Sequence, residues 1–222
     1  WPLMLRPSEE DLEFEPQIGI YFGGGAELET LRSRVHRKPH SSAFGKMVAD
    51  VRTHLNDRPE DDIGKLVPKP DRRFCRDRDM DRISWAHMME NLAFVGLLEQ
   101  DAGLSRMACR MALSAVHCEY WFESDIGVHP GKLWHHRSFT EEVYTRACAL
   151  VLDWAGYCLT DYGRRLIQNA IATKGIPRIE TDFMESEYIR HMNQGIVFSS
   201  GRIHGLLALV GTHPRYEQRI AE

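Results

Sequence analysis

The 222-residue chain is short of most features that mark a specialised protein class. No apolar run approaches the roughly 18–20 residues that span a bilayer, and no signal-peptide pattern opens the chain. There is no basic excess: 28 Lys and Arg stand against 32 Asp and Glu, a formal net charge of −4. That excludes the electrostatic footprint of a nucleic-acid-binding domain, and no membrane partner is expected. Lysine is scarce, 6 against 22 arginines. Arg suits bidentate carboxylate binding, although genomic base composition is the plainer account.

Cysteine is sparse and unpaired in pattern. Cys75, Cys109, Cys118, Cys148 and Cys158 make an odd five, no two of them two residues apart. A zinc knuckle needs close pairs, so these read as core thiols, small hydrophobes in helical apolar patterns, which fits a reducing compartment. There are 11 histidines but no His-Glu-x-x-His spacing, and neither a metal nor a cofactor is expected. Phe22-Gly23-Gly24-Gly25 is followed by Ala26-Glu27-Leu28 where a Walker loop needs Gly-Lys-Ser/Thr. A linker turn is the better reading. Strand alternation is missing too, apart from a short candidate at Ile18–Phe22.

What is present is helical periodicity. Apolar residues make up 43% of the chain and charged residues 27%, which excludes intrinsic disorder and fits a globular domain. Leu28, Leu31 and Val35 lie on one helical face, and Phe44, Met47, Val48, Val51 and Leu55 on the next. Residues 56–80, with three prolines and mixed Asp and Arg, read as a long solvated connection. A helix follows from Asp81 to Leu98. After a turn at Asp101–Gly103 a second runs from Leu104 to Val116, closed by Tyr120, Trp121 and Phe122, the first two as core. Ser138 and Glu141 have capping-box spacing before a helix through Val143–Tyr157. Thr160 is the expected N-cap of another that ends at Gly175 and Pro177. Residues 176–198 look irregular, Ile203–Val210 helical, and Pro214 opens a last helix. The unit Leu92–Met111 is echoed by Ile203–Glu222. The pattern predicts an all-α chain of antiparallel helical hairpins, with residues 1–26 as an irregular extension or linker. Trp1 at the start and Glu222 inside a helical pattern lead us to expect a piece of a longer protein.

Four segments in order carry a resemblance: Leu28–Arg34, Asn91–Arg110, Ala149–Trp154 with Leu159–Arg165, and His191–Gly195 running into Gly201–Val210. Together they resemble the N-terminal helical (α/α) toroid of the heparinase II/III-like polysaccharide lyases, over residues 27–222. The resemblance implies a partial toroid, truncated at the C-terminus. It also implies β-elimination on a uronate-containing acidic polysaccharide, glycosaminoglycan- or alginate-like. In such chemistry a donor stabilises the uronate carboxylate, a base removes the C5 proton and an acid protonates the departing oxygen.

By that resemblance Asn193, with Gln194, serves the carboxylate. Many relatives have His where Gln194 stands, and Gln cannot exchange a proton near neutral pH. His191, His135 or His136 would then supply the imidazole. The family's Tyr would lie beyond Glu222, leaving this chain inactive alone. Trp134 could stack on a sugar face and Arg137 and Arg190 fork onto carboxylates. The plainer readings make Asn193 a helix cap or turn residue, Trp134 a core residue and Asp153-Trp154 structural. A helical-toroid glycoside hydrolase would need two carboxylates across a cleft. Asp125, Glu142, Asp182, Glu185 and Glu187 are available, but their spacing selects no pair. A non-catalytic scaffold binding glycan or protein is the third reading. The sequence chooses neither periplasm nor cytoplasm and fixes no oligomeric state.

Overall fold

The structure is a computed structural model. It describes residues 1–8, 10–62, 76–118, 121, 140–184, 187, 191, 193–212 and 214–221, with backbone alone at 62, 76–83, 182–184, 194 and 221. The described residues form no strand, only an isolated antiparallel bridge between Leu5 and Leu159. The helices are α1 (Ala26–Val35), α2 (Ser41–Arg52), α3 (Arg76–Glu99), α4 (Ala102–Val116), α5 (Thr140–Trp154), α6 (Asp161–Ala170), α7 (Asn193–Leu209) and α8 (Pro214–Ala221).

Local chemistry explains the sharp turns. Gln100 takes the left-handed conformation, φ 55°, and the Asp101 N–H closes back on the Gly96 carbonyl at 2.9 Å. That is a C-terminal Schellman closure. The Asp101 carboxylate then caps α4, accepting from Gly103 and Leu104 N–H. Thr160 caps α6 as expected, its hydroxyl accepting from Gly163 N–H.

The helices stack in two rows. Trp85 stacks on Tyr144, Glu90 reaches Arg146, and Phe94 meets Trp154, so α3 and α5 run parallel. Gly201 sits against Glu142 and Gly205 against Thr145, so α7 runs parallel to α5. The second row has the same register: Ser105 of α4 meets Tyr157 just before α6, and Lys174 just after α6 donates to the Val116 carbonyl. Every residue of α5 except Arg146 is buried, as befits the central rod of the first row. The α5–α7 approach depends on glycine. A Cβ on Gly201 would fall 2.8 Å from Glu142 Cα, and one on Gly205 2.7 Å from Thr145 Cγ2.

Several expectations are corrected. The solvated connection stops before Arg76, not at residue 80, because the charged run 76–81 already belongs to α3. The helix expected to end at Gly175 continues through π-helical turns at Ile171–Gly175 and Ile179–Met184, flanking an α turn at Ile176–Arg178. Pro177 falls near the start of that α turn, where its missing N–H does little harm. The extension sets Glu180 against Arg202 of α7 and Arg219 of α8. Helix α7 starts at Asn193, nearly three turns before the Ile203 expected from its apolar pattern. Tyr157 lies in a 3-10 turn past the end of α5.

Residues 1–26 are no loose linker. The Asp153 carboxylate, fully buried, accepts the N–H groups of Ile18, Gly19 and Ile20 at 2.7, 2.8 and 3.0 Å. This replaces the strand suspected at Ile18–Phe22, because a bend lets three successive N–H groups converge on one anion. Phe22 stacks on Trp154. Asp153 and Trp154 are therefore structural, as one reading of the sequence had it. Trp121 is buried with its indole N–H on the Ala115 carbonyl. Cys109, Cys118, Cys148 and Cys158 are free and buried, as core thiols should be. Burial pushes the Cys158 thiol up to about 12. Cys75, Tyr120, Phe122 and Ser138 lie outside the described residues.

Candidate functional site

Parallel packing turns the N-terminal ends of α3, α5 and α7 toward one end of the first row, with Asn193 about 9 Å beyond Thr140 along the axis. There the structure places Asn193 as the first residue of α7, exposed, with His191 exposed in the turn before it. The first four N–H groups of a helix have no intrahelical partner, and the helix dipole adds positive potential there. Gln194 belongs to the same first turn. The plainer view of Asn193 as a cap is displaced by one position, since the residue already lies inside the helix. Trp134, His135, His136, Arg137 and Arg190 lie outside the described residues. Glu187, one of the carboxylates considered for a hydrolase, is exposed. Of the carboxylates considered for a hydrolase, Glu142 is placed, while the side chains of Asp125, Asp182 and Glu185 are outside the described residues.

A second polar group lies deeper in the first row, and most of it was not singled out from the sequence. Arg146 of α5 donates from Nε to Glu90 of α3 at 2.8 Å and from Nη1 to Glu142 at 2.5 Å. The Glu142 side chain is almost wholly buried. That burial, with Glu90 nearby, raises its pKa to about 7 against the pull of Arg146. Beside them stands His204 of α7. Its Nδ1 is 2.6 Å from the Ser200 carbonyl, and its Nε2 is 2.7 Å from the Tyr21 hydroxyl. A carbonyl only accepts, so Nδ1 carries a proton. Burial lowers the His204 pKa, with Arg146 adding to it, so the ring is neutral near pH 7 and Nε2 accepts from Tyr21. Partial burial raises the Tyr21 pKa, which keeps the phenol protonated. The sequence did hold a signal here: Glu90 with Asn91, Arg146 and His204 stand directly before the apolar runs 92–98, 147–152 and 205–210. The Tyr21 contact joins residues 183 apart, and no local pattern encodes that.

The two sites are separate. Asn193 and His204 share a face of α7, but eleven residues of rise hold them about 16 Å apart. Among the described residues no three His, Cys, Asp or Glu side chains are grouped to hold a metal ion. No helix among them is long and apolar enough to cross a membrane. No protein-family profile matches the chain, and no curated protein matches it.

Proposed function

We propose that the chain is the helical part of a polysaccharide lyase acting on a uronate-containing acidic polymer. The observation carrying this reading is the start of α7, where Asn193 and His191 are both exposed. A helix N-terminus favours an anion, and an Asn amide can donate to a carboxylate while the helix N–H groups share its charge. Two rows of helices, parallel within a row and antiparallel across it, are also the arrangement an (α/α) toroid repeats.

In this reading Asn193, with Gln194, holds the uronate carboxylate and so stabilises the enolate-like intermediate. The C5 proton leaves to a base, the bond to the departing glycosidic oxygen breaks, a double bond forms, and that oxygen gains a proton. His191 is the imidazole placed nearest Asn193 in the chain, with His135 and His136 as the other sources. Trp134, Arg137 and Arg190 would hold neighbouring sugars. A hydrolase has less support, because Glu142 and Glu90 grip one guanidinium and Glu142 is closed to solvent.

The test is turnover. A natural polypeptide containing this chain is expected to convert a uronate polymer into products with the ultraviolet absorbance of a conjugated double bond. Asn193→Ala should abolish the signal without unfolding the protein. New reducing ends without that absorbance would favour the hydrolase, and an unaffected Asn193→Ala rate would remove Asn193 from the site.

A further inference from the structure

We propose that Tyr21 and His204 form a second subsite on α7, one that takes an uncharged, hydroxyl-bearing sugar unit. The inference rests on the glycan reading above but not on Asn193, from which the pair is about 16 Å distant.

Three observations carry it. First, the hydrogen-bond direction is fixed. Ser200 holds the His204 Nδ1 proton, so the Tyr21 hydroxyl donates to Nε2. Its oxygen lone pairs then remain for a donor from outside, and a sugar hydroxyl supplies one. Tyr21 is 58% exposed while His204 is 6% exposed, so the phenol faces solvent and the imidazole backs it. Second, the exposed Tyr21 ring is backed by a buried aromatic cluster. Tyr21 lies 6.0 Å from Trp154 and 5.1 Å from the His204 ring, and Trp154 stacks on Phe22. An apolar face beside a fixed hydroxyl suits the two kinds of surface on a pyranose. The buried indole Nε1 of Trp154 also has no hydrogen-bond partner. Third, the local charges are already matched. Arg146, whose charge reaches both Tyr21 and His204, is bound by Glu90 and Glu142. His204 is neutral. No unpaired cation in this group is left for a carboxylate.

Tyr21 is also held in advance. The three N–H bonds from residues 18–20 to Asp153 fix the backbone beside it, so binding does not have to order the segment. A polymer spanning both sites would place its acidic unit at Asn193 and a neutral unit at Tyr21.

The experiment titrates the whole chain with a neutral trisaccharide, such as a cello- or chito-trisaccharide, and separately with a triuronate. The readout is the NMR signals of the His204 ring nitrogens, the Trp154 indole N–H and the Asn193 amide. The neutral sugar is expected to shift His204 and Trp154 in wild type and in Asn193→Ala. Tyr21→Phe, which keeps the ring, should weaken that response about fivefold, the worth of one neutral hydrogen bond, and Tyr21→Ala should abolish it. Failure of the neutral sugar to move His204, an equal response there to the triuronate, or an unchanged response in Tyr21→Ala would each overturn the subsite. Loss of the triuronate response at Asn193 alone would count against the lyase reading and leave the Tyr21 result standing.

Discussion

Asp153 shows how one side chain can organise a segment far from it in sequence. Three backbone donors converge on its buried carboxylate, and charge-assisted bonds of this kind are the stronger ones. Asp153→Ala leaves those donors without a partner and is expected to cost about 2–4 kcal/mol, read as a lowered midpoint in urea unfolding. Glu142 makes a second residue-scale prediction. Its folded pKa is raised from 4.5 to about 7, with burial as the main cause. The folded state therefore holds a proton that the unfolded state releases. The associated stability is full below about pH 4.5 and is lost as pH rises through about 7, a change on the order of 3 kcal/mol. Glu142→Gln removes that titration. The stability difference between wild type and variant, measured from about pH 4 to about pH 8, should move in the variant's favour as pH rises. A difference independent of pH would contradict the assignment.

At the scale of elements, α7 packs closely on α5 through Gly201 and Gly205. Gly201→Ala would set a methyl group against the Glu142 backbone, which cannot swing aside as a flexible side chain can. We expect destabilisation of about 1–3 kcal/mol despite the gain in helix propensity, measured by thermal or urea unfolding. Helix type and order were legible in the sequence because apolar periodicity and caps such as Thr160 act locally. The ends of α3 and α7 were not, since Arg76–Asp81 and Asn193–Ser200 carry little or no continuous apolar stripe and are helical because the core behind them is already formed. The π-helical turns after α6 were illegible for a related reason. They follow from fitting Gly175 against Thr145 and Glu180 against two arginines, contacts set by the tertiary stack. Asn193 and His191 were found through a resemblance, whereas Tyr21 and His204 meet only through the chain's path.

At the scale of the whole molecule, the first 26 residues are the clasp of the two rows. Leu5 bridges to Leu159, Thr160 donates to the Leu3 carbonyl, and Arg106 donates to the carbonyls of Arg6 and Pro7. Removing residues 1–22 should therefore lower the melting temperature of the entire helical stack, rather than leave it unchanged as loss of a linker would. The same stack turns three helix N-termini toward one end, and the account turns on what the start of α7 binds there. Calorimetric titration of the chain with an oligouronate, in wild type and Asn193→Ala, addresses it most directly. The account predicts binding that weakens at least about tenfold on substitution, roughly the loss of one charge-assisted hydrogen bond, with an unchanged melting temperature. Equal affinity in the two proteins would contradict it.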